Sequence, residues 1–109
     1  MPNNNYIALL VTRDRVIGFD ATSNRFIETQ LPIHDELLAA EAERYVAVVI
    51  TSSRAFGLAA ESSAFTEINL RMSETIEAIK LTYSKVTVRT SDRLLTFETS
   101  GLPWKELRF

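Results

Sequence analysis

A repeat of 39 residues is the feature that most constrains how this chain can fold. When the sequence is shifted by 39 positions, identical or similar residues coincide without a gap in three successive copies. The positions that coincide in all three copies are Thr12, Thr51 and Thr90; Arg15, Arg54 and Arg93; Phe26, Phe65 and Trp104; Glu28, Glu67 and Glu106; and Leu31, Leu70 and Phe109. A repeat of this length indicates one supersecondary unit that buries its apolar surface against neighbouring copies.

The three copies cover residues 6–44, 45–83 and 84–109, and the third lacks the part that corresponds to residues 32–44 of the first. Each copy begins with a run rich in β-branched residues, as in YIALLVT and YVAVVIT, which favours a strand. Two residues inside a Thr-x-x-Arg pattern separate this run from a second one, which is typical of a β-hairpin. A polar turn and a third run follow. Each copy therefore predicts at least three antiparallel strands.

The fourth segment of the repeat is ambiguous. The stretch HDELLAAEAER has the composition of a helix, with Asp35 as its N-cap, whereas its counterpart SETIEAIKLTY ends in residues that favour a strand. Only about one turn joins this segment to the next apolar run, and so short a connection suits a hairpin. We predict strands over 35–44 and 74–83. A helix is the alternative, and it would make the chain an α+β domain.

If the fourth segment is the first strand of the following unit, the chain contains four-stranded units at 32–70 and 71–109. Residues 6–31 then form a unit that lacks its first strand. The string KVTVRTSDRLLTFETSGLPWKELRF resembles a β-propeller blade of the loose class that includes WD40, kelch and quinoprotein-type repeats. It has neither the Trp-Asp dipeptide of the first nor the double glycine of the second. The resemblance implies an all-β fold of propeller-like blades.

The resemblance also implies a closed ring. Closed propellers have about four to eight blades, which is more than one copy of this chain encodes. We therefore predict a homodimer that completes a ring of six blades, because closed two-fold assemblies are the commonest oligomers. Residues 6–109 would form a single repeat domain, and residues 1–5 a disordered N-terminal tail.

Composition and charge argue against several classes of function. The 109 residues carry a net charge of −2, so no basic excess exists to neutralise the phosphates of a nucleic acid. The chain has no cysteine, which removes disulfide and thiolate chemistry. The apolar run from Tyr6 to Val11 is too short for a secretion signal or a membrane span. We predict a cytoplasmic protein without a nucleic-acid or membrane partner.

The recurrent polar and aromatic residues are the candidate ligand-binding positions. The arginines can line one rim of the ring and bind anions, or they can cap their turns and pair with acids. The glutamates can accept hydrogen bonds from sugar hydroxyls, or they can form ion pairs with surface lysines and arginines. The aromatic residues can stack on a sugar or pack between blades, and the N–H of the tryptophan needs a partner. The candidate set is Arg15, Arg54, Arg93, Glu28, Glu67, Glu106 and Trp104.

No arrangement of residues in the sequence matches a catalytic site. His34 is the only histidine, which we expect on a surface loop, and neither a metal-ligand set nor a glycine-rich phosphate loop is present. We predict a protein that is not an enzyme and that uses no cofactor or metal. The leading hypothesis is a protein-binding scaffold that also binds itself. The alternatives are a sugar-binding lectin with sites between blades and, third, a small-ligand sensor or enzyme using a central channel.

Overall fold

The computed structural model describes residues 6–32, 34–82, 84–99 and 103–109, and these form eleven strands in three antiparallel sheets. Sheet 1 contains β1 (Ile7–Val11), β2 (Arg15–Asp20) and β3 (Arg25–Gln30) in the order β1-β2-β3. Sheet 2 contains β4 (Leu37–Ala42), β5 (Val46–Thr51), β6 (Arg54–Ala59) and β7 (Thr66–Asn69). Sheet 3 contains β8 (Ile76–Leu81), β9 (Lys85–Thr90), β10 (Arg93–Glu98) and β11 (Lys105–Arg108).

The fourth segment of the repeat is a strand in both copies. β4 pairs with β5, and β8 pairs with β9, each as the first strand of the following sheet. Both strands have a bulge at the same repeat position, between Leu37 and Ala39 and between Ile76 and Ala78. The prediction of an all-β fold with four-stranded units is confirmed, and the helical alternative is wrong. The helix propensity of alanine and glutamate is overridden because the neighbouring strand offers backbone hydrogen-bond partners along most of the segment.

The three sheets stack face to face, with sheet 2 in the middle. Both faces of β5 are covered, so all six of its residues are buried, whereas β1 and β9 alternate between buried and exposed positions. The core between sheets 1 and 2 contains Ile7, Val16, Ile27, Leu31, Ala47, Val49, Phe56 and Leu58. The core between sheets 2 and 3 contains Val46, Val48, Ile50, Ala55, Ala59, Val86, Val88, Leu95, Phe97 and Trp104. The apolar runs predicted to be covered on both faces are therefore covered by neighbouring sheets.

A glycine allows close approach at each of these two contacts. A Cβ on Gly18 would lie 2.5 Å from the Cδ2 of Leu58, and a Cβ on Gly57 would lie 2.8 Å from the ring of Phe97. The third copy has Thr96 at this position, and its side chain lies on the outer side of sheet 3, away from sheet 2. Glycine therefore occurs in the two copies where the next sheet packs against this position.

The limits of the domain stay a prediction. The predicted disordered tail, residues 1–5, lies outside the described residues, and so do the last residue of the second repeat and part of the turn before β11. In the described part of the chain, no helix is long and apolar enough to cross a membrane.

Candidate functional site

The Thr-x-x-Arg pattern forms the same hairpin turn in all three sheets. The threonine hydroxyl accepts a hydrogen bond from the backbone N–H of the arginine, at 3.2 Å in sheets 1 and 2 and 3.1 Å in sheet 3. This bond closes the turn between the two strands that the pattern joins, because a hydroxyl can replace a backbone acceptor in a tight turn. Threonine and arginine thus recur for a local structural reason.

Each recurrent arginine pairs with the recurrent glutamate of its own repeat. The Arg15 guanidinium lies 3.3 Å from Glu28, and the Arg54 guanidinium lies 3.4 Å from Glu67. Arg93 forms the same pair with Glu106. The hairpin register places the arginine diagonally opposite the glutamate on the neighbouring strand, so the spacing of 13 residues brings their charged ends together. The structure therefore brings the six candidate charged residues together in pairs.

Two further acids complete this cluster in sheets 2 and 3, and the sequence comparison missed them. Asp35 accepts hydrogen bonds from the Thr51 hydroxyl at 2.7 Å and the Ser53 hydroxyl at 2.5 Å. Glu74 occupies the same repeat position and accepts a hydrogen bond from the Thr90 hydroxyl. The two acids are 39 residues apart, but one is Asp and the other Glu. A comparison by residue class, rather than by identity, would have detected them.

The cluster in sheet 3 is buried and highly charged. Nε of Arg93 lies 2.8 Å and Nη2 lies 2.9 Å from the Glu74 carboxylate, and Nη2 also donates to the carbonyl of Asn69 at 2.7 Å. The Arg93 side chain is 6% exposed and that of Glu74 is fully buried. The hydrogen bonds from Arg93 lower the pKa of Glu74 to about 2, although burial opposes the shift. The hydrogen bonds to Glu74 raise the pKa of Arg93, and a separate hydrogen bond from Arg93 lowers the pKa of Glu106.

The cluster in sheet 2 is held by hydroxyl groups rather than by close ion pairs. Arg54 lies 3.7 Å from Asp35, so the main partners of this acid are Thr51 and Ser53. Burial raises the pKa of Asp35, but these hydroxyl donors and the arginine charge outweigh it, and the pKa is lowered. The acid therefore stays ionised at neutral pH.

The cluster in sheet 1 is open. Thr12 donates to Asp14 of its own turn at 3.1 Å, and Arg15 contacts Glu28, with side chains 51% and 57% exposed. Among the described residues, no acid takes the place that Asp35 and Glu74 take in the other sheets. A cavity of about 450 Å³ lies here instead, lined by Asp14, Arg15, Glu28, Thr29 and Gln30.

The recurrent aromatic residues have different environments. Trp104 is buried, lies 5.3 Å from the Phe97 ring, and donates its Nε1–H to the carbonyl of Thr66 at 2.9 Å. Phe65 is half-buried and packs on the core between sheets 1 and 2. Phe26 is 76% exposed and touches only Phe19 among the described aromatic rings. Trp104 is thus a core residue with a satisfied N–H, and Phe26 is the member of the set that is available to a partner.

The stack of sheets ends in two unlike faces. The open face of sheet 1 carries an apolar patch of Ala8, Leu10, Ile17, Phe19 and Phe26, and next to it lie the Arg15–Glu28 pair and Gln30. The open face of sheet 3 is mostly polar and charged: it contains Lys85, Thr87, Arg89, Thr96 and Lys105, with Leu94 and Leu107 as its apolar members. On the second face Lys85 pairs with Glu98, and Arg89 pairs with Glu77 and lies over the Phe109 ring. The second face therefore carries more charged side chains than the first.

His34 is exposed, as expected, and no group of three or more potential ligands that could hold a metal ion occurs among the described residues. All buried side-chain nitrogen and oxygen atoms in the described residues have a hydrogen-bond partner. The buried atoms of the charged clusters in sheets 2 and 3 therefore offer no unpaired group to a ligand.

No protein-family model matches the sequence, and no curated protein matches it. Among solved structures, the chain is similar to the crystal structure of the N-terminal domain of Nup159, a β-propeller, with a TM-score of 0.52 and 11% sequence identity. The similarity covers 98% of this chain and 32% of that chain. At this identity the likeness concerns the fold alone: the three antiparallel sheets are propeller-like blades.

Proposed function

We propose that this chain is a non-catalytic protein-binding scaffold and that its binding surface is the open face of sheet 1. The observation that carries the proposal is the exposure of large apolar side chains on one face of sheet 1, with Leu10 60% and Phe26 76% exposed. Exposed apolar clusters of this kind mark protein contacts, because each buried Å² of apolar surface contributes about 25 cal/mol.

The repeat explains what this face is built to contact. The residues 39 positions further on, Ala47, Val49, Phe56 and Leu58, cover the inner side of sheet 1. Their third-copy counterparts, Val86, Val88, Leu95 and Phe97, cover sheet 2 in the same way. The corresponding face of sheet 1 has no such cover among the described residues. Its chemistry therefore suits another sheet of the same kind.

We propose a second copy of the chain as the partner, and two arrangements fit. In the six-bladed ring, the open face of sheet 1 packs against the open face of sheet 3 of the other copy, which would bury Arg89 and Lys105. In a two-fold contact, the open face of sheet 1 packs on itself and buries no lysine. The two arrangements differ in whether they need the charged face.

Light scattering after size-exclusion chromatography tests the proposal and separates the arrangements. The native protein is expected at twice the 12.3 kDa mass of the chain. Leu10→Lys is expected to give the single-chain mass, because it places a charge in the apolar contact. Thr96→Arg is the discriminating variant, since it blocks the ring and leaves the two-fold contact intact. A native protein that stays at 12.3 kDa at all concentrations would overturn the second copy as partner.

Two observations support a non-catalytic role. The charged residues that recur are paired with one another, and the sequence contains no nucleophile with an adjacent base. The lectin alternative has less support, since Phe65 and Trp104 pack between sheets and only Phe26 presents its ring. A cytoplasmic location and the absence of nucleic-acid and membrane partners stay predictions.

A further inference from the structure

One edge of sheet 1 differs from the matching edges of sheets 2 and 3. By the repeat, β1 is equivalent to β5 and β9. One edge of β5 is hydrogen-bonded to β4, and one edge of β9 is hydrogen-bonded to β8. Within the described residues, no strand pairs with β1 on the side opposite β2. In the described part of the chain, sheet 1 therefore has three strands where the other sheets have four.

The backbone groups at this edge are identified by the hairpin hydrogen bonds. The carbonyl of Tyr6 and the N–H of Thr12 bond towards β2, so the groups of the intervening odd-numbered residues point away from it. The outward groups on β1 are therefore those of Ile7, Leu9 and Val11. In sheet 2 the equivalent position of Ile7, Val46, accepts a hydrogen bond from Glu43, which follows β4. The outward backbone N–H and C=O groups of β1 are therefore equivalent to those with which β5 pairs with β4.

The turn beside this edge matches two turns that each bind an acid. In sheets 2 and 3 the acid precedes the covering strand by two residues: Asp35 comes before Leu37, and Glu74 comes before Ile76. The residue between acid and strand accepts a hydrogen bond from the turn, with Ser52 N–H donating to the Glu36 carbonyl at 2.9 Å. In both four-stranded sheets, the acid that binds the turn and the first strand of the sheet are thus parts of one continuous segment.

Sheet 1 retains the groups that receive this unit. Thr12 and Arg15 occupy the places of the threonine and arginine that bind Asp35 and Glu74, and Arg13 occupies the place of Ser52. The Arg15 side chain is half exposed and its partner Glu28 is exposed too, so an incoming carboxylate can reach the guanidinium from solvent. Arg13 adds a second cation at the same turn.

We infer that the open edge of β1 binds an extended segment of another protein, which adds as a fourth antiparallel strand and places an acidic side chain on Thr12 and Arg15. The segment has the pattern of β4 and β8: an aspartate or glutamate, one further residue, and then about six residues that include several small or aliphatic side chains. Backbone hydrogen bonds supply the affinity in this mode, and the side chains supply the specificity.

The donor is another protein rather than a second copy for a structural reason. Both acid-led strands of this chain, β4 and β8, are already paired within their own sheets. A second copy would have to open a complete sheet to donate one. The inference adds to the proposed scaffold role. It uses the edge of sheet 1 and the Arg15–Glu28 pair beside the apolar patch of the open face, and separate variants test the two.

A labelled peptide copied from residues 73–82, SETIEAIKLT, is the probe, and fluorescence anisotropy measures its binding to the full chain. The peptide is expected to bind, and the same peptide with Glu74→Gln is expected to bind about tenfold more weakly, because it loses a charge-assisted hydrogen bond. In the Arg15→Ala protein, the two peptides should bind equally. Arg108→Ala, which removes an exposed arginine from sheet 3, should leave the tenfold preference unchanged.

Several results would overturn the inference. These are no binding of either peptide, equal binding of both to the native chain, or a preference that survives Arg15→Ala. Light scattering on the same samples separates it from the proposed function, since Leu10→Lys should abolish self-association while peptide binding persists. If Arg15→Ala instead abolishes self-association, and the peptide competes with it, the strand donor is a second copy and the assignment to another protein is wrong.

Discussion

Sheets 1 and 3 contain the same turn in two different states. Both have threonine, arginine three residues later and glutamate 13 residues after that, and in both the arginine pairs with the glutamate. In sheet 3 the Arg93 side chain is 6% exposed and has Glu74 as a second acid. In sheet 1 the Arg15 side chain is 51% exposed and no such acid is present among the described residues.

The comparison shows that the first strand, and the acid that precedes it, determine what the repeated residues do. Where the strand is present, the carboxylate compensates for the burial of the arginine and the cluster becomes part of the interior. Where no strand covers the turn in the described residues, the same arginine and glutamate form a surface pair of little energetic value. Identical residues therefore have a structural role in one repeat and are open to a partner in another.

Glu74→Gln should strongly destabilise the protein, because it leaves the buried Arg93 without the fully buried acid that its guanidinium contacts through two nitrogens. We expect the free energy of unfolding to fall by about 3 kcal/mol, as when one partner of a buried ion pair is removed. Urea unfolding followed by circular dichroism measures it. The matched control is Glu28→Gln in sheet 1, which should cost less than about 1 kcal/mol because this pair is exposed. Similar costs for both variants would contradict the difference between the two sheets.

Acid should destabilise the protein mainly through sheet 3. The pKa of Glu74 is about 2 in the folded chain against an ordinary value of 4.5, so its contribution is complete above pH 4.5 and is lost as the pH falls towards 2. The loss should be on the order of 3 kcal/mol for this group. Between pH 5 and pH 2.5, the free energy of unfolding should fall more steeply with decreasing pH for the native chain than for Glu74→Gln. Equal slopes would show that Glu74 does not dominate the acid response.

Gly57 and Thr96 occupy the same repeat position, the first on a sheet face that is covered by the next sheet and the second on an open face. Gly57→Ala should lower the free energy of unfolding by about 1–3 kcal/mol, because the new Cβ would lie 2.8 Å from the Phe97 ring of the next sheet. Thr96→Ala at the equivalent position of sheet 3 is the control and should change it by about 0.5 kcal/mol or less, since the site faces outwards. Thermal unfolding of both variants measures the difference. A costly Thr96→Ala would mean that the open face of sheet 3 is covered in solution.

Most of the fold was predictable from the repeat, and the reason is physical. Strands that must be covered on both faces appear as apolar runs such as AVVI in β5, and the short link before β9 favours a strand for β8 over a helix. The Thr-x-x-Arg turns were predicted from the same pattern. The sequence therefore specified the strands and their order, because both depend on local spacing.

The state of each site was less predictable, since it depends on which sheet lies next to it. Phe26 and Trp104 occupy one repeat position, yet the first is exposed and the second is buried. Among the described residues, only the second has a preceding sheet to pack against. Asp35 and Glu74 were missed because they match in charge and not in identity. Thr96 in place of glycine indicates an uncovered face, but the sequence alone could not show this because the order in which the sheets stack was not known.

Arg15→Ala should change the free energy of unfolding only slightly, so it tests whether the fold needs this arginine. The Arg15–Glu28 pair is half exposed, so its loss should lower the free energy of unfolding by less than about 1 kcal/mol in urea. Arg93→Ala, the matched change in sheet 3, should cost about 3 kcal/mol or more, because it leaves Glu74 buried without its main donor. A stable Arg15→Ala protein would leave this arginine free for a ligand role, since the fold does not need it. A large loss would instead mean that the cluster in sheet 1 is already completed by an acid in solution.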